Sequence, residues 1–87
     1  MLRFTLAKQY LEEGDTAKAI LHARVAVELD GDYSAGWRLL GQAQVAAGNI
    51  ADAADSFKRG IEVASQRGDR QVEKEMQVFL KRLEKEE

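Results

Sequence analysis

His22 is the only imidazole in the 87-residue chain, and the chain has no cysteine. Thiol nucleophiles, thiolate metal sites and disulfide frameworks are therefore closed to it. A single histidine also lacks the convergent partners that a catalytic triad or a zinc site requires. His22 reads as a helix-surface residue. The run Asp30-Gly-Asp-Tyr-Ser34 puts oxygen donors at the first, third and fifth positions of a calcium-loop pattern. Such a loop needs Gly at its sixth position and a bidentate Glu at its twelfth. Ala35 and Gly41 stand there, so the pattern fails. Arg67-Gly68-Asp69 spells a cell-adhesion tripeptide, which matters only on an extracellular loop; without a secretion signal it reads as a helix stop followed by an N-cap. No catalytic residue, metal ligand or cofactor site emerges, and the expectation is a protein that is not an enzyme and carries no cofactor.

Charge and hydropathy narrow the class further. Thirteen Lys and Arg face fifteen Asp and Glu, a net charge of −2 with both signs interspersed. Affinity for phosphate scales with the cations offered, so the absence of a basic stripe excludes nucleic acid as the expected partner. No apolar run approaches the roughly 20 residues of a membrane span. The opening MLRFTLAKQY is too short and too polar for a signal peptide. The expectation is one soluble, cytoplasmic domain without a membrane. Ala, Leu, Glu, Lys, Arg and Gln dominate and no window alternates strictly, which predicts an all-α fold.

Glycines 14, 31, 48 and 68 divide the helical pattern. Gly14-Asp15 and Gly48-Asn49 each pair a helix-stopping Gly with a side chain able to cap the next helix. Asn49 and Asp52 have capping-box spacing, and Asp32 or Ser34 is the candidate N-cap of the third helix. Five helices are predicted, at about 1–13, 16–29, 34–47, 50–66 and 69–85. The first four repeat. A shift of 34 superposes Leu6 on Leu40, Gly14 on Gly48, Ala17 on Ala51, Ala19 on Ala53 and Glu28 on Glu62. Neither helix pair can bury its apolar stripes alone, so the pairs must stack. Ala7, Gly41, Ala19, Ala53, Ala26 and Gly60 permit close approach, while Trp37, Leu40, Phe57 and Ile61 fill space. The last helix offers one stripe, Val72, Met76, Phe79, Leu80 and Leu83, with charged faces elsewhere, as a solubilising cap needs. Val72, Met76, Phe79 and Leu83 also read as an a/d seam, short for a coiled coil.

A period of about 34 in paired helices with W-x2-L-G-x2-Y is the tetratricopeptide signature. Trp37, Leu40 and Gly41 meet it, with Gln44 in the place of Tyr; the first copy has Arg3, Leu6, Ala7 and Tyr10. Ala53 and Phe57, and Ala19 and Ala23, hold the later small and aromatic positions. The chain resembles a two-repeat tetratricopeptide protein spanning 1–87, with repeats at about 1–33 and 34–67 and a capping helix at about 69–85. The resemblance implies a right-handed antiparallel helix-pair solenoid that binds a peptide or protein segment. Its groove positions map onto Phe4, Lys8, Leu11 and Glu12, then Ala35, Arg38, Gln42, Val45 and Ala46. Phe4, Leu11 and Val45 would supply apolar contact, and Lys8, Arg38 and Gln42 orientation. Arg38 and Gln42 have the four-residue spacing with which one family subtype clamps a peptide carboxylate. The rest of that clamp is missing, because Leu39, Asp69 and Glu73 stand where Asn and basic residues belong. The family's late Pro is also absent, which predicts looser turns, and Arg3 in the aromatic position predicts a less tightly held first pair. The alternative role is assembly of homo- or hetero-oligomers through the terminal helices, a second molecule covering Leu2 and Phe4.

Overall fold

A computed structural model describes residues 2–86. It contains five helices: α1 (Leu2–Glu12), α2 (Thr16–Leu29), α3 (Ser34–Ala46), α4 (Ile50–Arg67) and α5 (Arg70–Glu86). The predicted boundaries hold to within one residue throughout, apart from Met1, which lies outside the described residues.

Three of the turns share one device. Gly14, Gly48 and Gly68 have φ of 84°, 81° and 76°, a left-handed conformation that glycine adopts without a Cβ penalty. At the first, the Gly14 N–H donates to the Leu11 carbonyl (3.1 Å) and the Asp15 N–H to the Tyr10 carbonyl (2.9 Å). The same pair of bonds recurs from Gly48 and Asn49 to Val45 and Gln44, and from Gly68 and Asp69 to Ser65 and Ala64. Each closes a Schellman motif that satisfies the last helical carbonyls and reverses the chain within a few residues. Short reversals make α1 and α2 antiparallel neighbours, and likewise α3 and α4.

Capping follows the sequence only in part. The Asp15 side chain accepts from the Lys18 N–H at 3.2 Å, as an N-cap should. Asn49 holds the N-cap position of α4 but makes no side-chain cap bond, so the expected capping box does not form. Tyr33, not Asp32 or Ser34, is the N-cap residue of α3. The Ser34 hydroxyl donates instead to Asp69 at 2.6 Å, joining the start of α3 to the entry of α5. Long-range pairing, invisible in the local pattern, takes that side chain away from its own helix terminus.

Two apolar clusters form the core. Ala7, Ala23, Val27, Leu39 and Leu40 join α1, α2 and α3; Ala53, Phe57, Ala64, Met76 and Leu83 join α4 and α5. Trp37 packs against both and so ties one repeat to the next. Its indole N–H donates to the Gly31 carbonyl at 2.8 Å, and the Asp30 carboxylate accepts from the Asp32 N–H at 3.2 Å. The turn without proline is thus held by side chains. Gly41 and Gly60 mark the closest approaches: a Cβ at Gly41 would stand 2.6 Å from Cδ1 of Phe57, and one at Gly60 would stand 2.7 Å from Cβ of Trp37. The cost of glycine in a helix, about 1 kcal/mol, is offset by letting the Phe57 ring and the Trp37 and Met76 side chains lie against the backbone.

The α5 stripe is consumed by the fold. Met76 and Leu83 are buried, and Val72, Phe79 and Leu80 pack around them on the second cluster. The same side chains that could have formed a coiled-coil seam are therefore turned inward. α5 stands to α4 and α3 as α3 stands to α2 and α1, occupying the place of the next repeat's first helix.

Candidate peptide-binding face

Curvature defines the two sides of the array. α1 touches α3 and α3 touches α5, whereas α2 and α4 make no such contact among the described residues. The odd-numbered helices therefore line the inner side, and the even-numbered helices splay on the outer side. This is the side on which the sequence places its groove residues.

Arg38 is already engaged. Its Nη1 donates to both carboxylate oxygens of Glu75, each at 3.1 Å, in a partly buried ion pair between α3 and α5. The carboxylate that meets this guanidinium is supplied by the chain itself. Together with Ser34–Asp69, this pair makes two polar ties, four residues apart on α3, that hold the capping helix in place.

Gln42 and Val45 stand one and two turns further along α3 and open onto a groove. This depression of about 290 Å³ is lined by Gln42, Val45, Phe57, Phe79, Arg82 and Leu83. Its floor is apolar and its edges carry an amide and a guanidinium, a combination suited to an apolar side chain with a polar or acidic neighbour. Val45 is 38% exposed, and the Phe57 and Phe79 rings lie 5.5 Å apart, tilted by 36°.

The α1 residues divide. Lys8 and Glu12 are exposed. Phe4 and Leu11 are half-buried and packed on the first core cluster, with Phe4 meeting the Tyr33 ring edge-on at 5.1 Å. The structure thus brings Gln42 and Val45 together in one groove, ties Arg38 to α5, and leaves Lys8 in solvent on the neighbouring helix. Phe79, Glu75 and Arg82 were not singled out as site residues from sequence. Phe79 belongs to the apolar stripe, and the charged pair are two among many charged residues on α5, so only the packing of α5 onto α3 distinguishes them.

The remaining sequence features have structural partners. His22 stacks on Tyr10 with ring centroids 5.3 Å apart, and its Nδ1 lies 3.0 Å from Arg3 Nη1. Arg67 and Asp69 approach within 3.7 Å of each other. Among the described residues no group of three or more His, Cys, Asp or Glu is placed to hold a metal ion, and no helix is long and apolar enough to cross a membrane.

Comparison with known proteins agrees with this architecture. A tetratricopeptide repeat family model matches residues 10–72. A TPR repeat-containing protein of Pseudomonas aeruginosa is 48% identical over 85 residues, covering 98% of this chain and 81% of that protein. A Bordetella parapertussis protein with a known solution structure is 44% identical and superposes with a TM-score of 0.88, covering 98% of this chain and 74% of that one. The crystal structure of a tetratricopeptide repeat domain protein from Salinibacter ruber is 29% identical, with a TM-score of 0.91 over 99% of this chain and 96% of that one. Trp37, Leu40, Gly41, Ala53 and Phe57, the residues that carry the motif, are the ones that build the inter-helix contacts. The chain belongs to the tetratricopeptide repeat family.

Proposed function

We propose that this chain is a non-catalytic module that binds a peptide or protein segment on its inner face. Tetratricopeptide repeats generally mediate protein–protein interaction. The observation that carries the reading for this chain is the groove between α3 and α5, apolar on its floor and polar at its edges. Val45 and Phe79 receive an apolar side chain of the ligand. The Gln42 amide offers both a donor and an acceptor to a peptide backbone. Arg82 and Lys8 attract an acidic group, while Phe4 and Leu11 extend the apolar surface along α1. Arg38 contributes when a ligand carboxylate exchanges with Glu75, so its role is conditional on that internal pair opening.

A partner captured from native cell extract provides the test. Its affinity is measured by calorimetry against the native chain, Gln42→Ala, Arg38→Ala and Val45→Asp. The expected outcome is a loss of about fivefold to tenfold for Gln42→Ala and more for Val45→Asp, in line with truncation of contact residues. A partner whose affinity ignores all three substitutions binds elsewhere and overturns the proposal.

A further inference from the structure

We propose that the surface between the start of α1 and the end of α2 is a self-association surface, and that its occupant is the same surface of a second copy of this chain. Between the start of α1 and the end of α2 lies an apolar depression of about 170 Å³, lined by Leu2, Phe4, Ala26 and Leu29. Leu2 and Leu29 are 73% and 77% exposed, more than the other large apolar side chains of the described residues. Apolar side chains clustered around a groove in this way mark association sites, whereas scattered ones do not.

The second repeat buries the position equivalent to Leu29. Leu29 and Asp30 hold the positions that Val63 and Ala64 hold in the second repeat, and those are buried to 7% and 0%. α3 packs on α2 as α5 packs on α4, yet Leu29 is left 77% exposed.

The charges on the rim select the occupant. Arg3 and Asp30 flank the depression, both exposed and opposite in sign. A two-fold axis through the patch sets leucine against leucine and brings Arg3 of one copy to Asp30 of the other, twice. That self-complementarity is what an isologous interface requires. Head-to-tail stacking fits poorly, because the outer side of α5 surrounds Val78 with Lys81, Arg82 and Lys85. Seating the apolar patch there would bring Lys81, Arg82 and Lys85 together with Arg3, four cations for the one carboxylate of Asp30. Apolar burial supplies the affinity of the two-fold pair, and the exposed charges set its register.

Sedimentation of the full chain from about 10 µM to about 1 mM tests this, a range that brackets weak dimers. The mass is expected to rise with concentration from 9.7 kDa toward twice that value. Leu29→Glu weakens the dimer at least about tenfold, since it removes an apolar anchor and buries a carboxylate. Its helical circular dichroism is unchanged, because Leu29 is mostly exposed in the monomer. Arg3→Asp and Asp30→Arg each weaken it several-fold, and the double exchange restores most of the loss. A chain that stays monomeric at about 1 mM, or a dimer insensitive to Leu29→Glu, overturns the proposal; so does a dimer broken by Val78→Glu alone. Phe4 lines this depression and also adjoins the proposed peptide face, so it is left unchanged; Arg3, Leu29 and Asp30, the residues substituted, have no assigned part in peptide binding.

Discussion

The two repeats share one backbone plan and pack it with different side chains. At the tightest crossing of the second repeat, Gly41 lies under the Phe57 ring. The equivalent pair in the first repeat is Ala7 and Ala23, both at 0% exposure. One solution joins no side chain to a large ring; the other joins two methyl groups. A turn further on, the first repeat stacks Tyr10 on His22, while the second buries Gln44 with its Oε1 accepting from the Ser56 hydroxyl at 2.6 Å. Residues 34 apart have thus changed in pairs. Close contact across the helix interface is kept in both repeats even where residue type is not, because a buried interface must be filled whichever side chains fill it.

Breaking the large ring gives the largest effect. Phe57→Ala is expected to cost about 3–5 kcal/mol, read as a lower urea midpoint, whereas Ala23→Gly in the first repeat costs about 1 kcal/mol from helix propensity and a lost methyl. A similar loss for both would show that the second crossing is no tighter than the first. Gly41→Ala comes next, at about 1–3 kcal/mol, because the new methyl would stand 2.6 Å from Cδ1 of Phe57 and the ring must shift to admit it. Combining it with Phe57→Leu should cost less than the sum of the two, the coupling that a shared space demands. Ser56→Ala strands the buried Gln44 oxygen and is expected to lower stability by about 1–3 kcal/mol, with His22→Ala, at the half-exposed stack, below about 1 kcal/mol. The smallest contrast is at the caps: Asp15→Ala removes a cap bond for about 0.5–1 kcal/mol, and Asn49→Ala, which removes none, changes stability by only a few tenths. Thermal unfolding of the two variants side by side checks it.

Legibility in the sequence differed by range of interaction. The glycines at 14, 48 and 68 mark three helix ends because a left-handed residue is a local necessity. The motif residues identify the crossing points for a similar reason: Trp37, Leu40, Gly41 and Gln44 follow one another at the three- and four-residue intervals that place them on one face of α3. Caps were less legible. Ser34 and Asn49 have cap chemistry, yet Ser34 is taken by Asp69, 35 residues away, and Asn49 is left without a cap bond. Arg38 has the chemistry of a carboxylate receptor, and its carboxylate comes from Glu75, 37 residues on.

The sequence by itself determined the helices, their turns, the repeat and the close approaches, all of which follow from backbone preference and apolar spacing within one or two helical turns. The tertiary structure alone decided which polar groups remain available on the inner face. Docking α5 against α3 engages Ser34 and Arg38 and, in the same step, forms the groove of Gln42, Val45, Phe79 and Arg82. The reason is physical: a charged side chain declares what it can bind, but which partner it meets depends on which helix packs beside it.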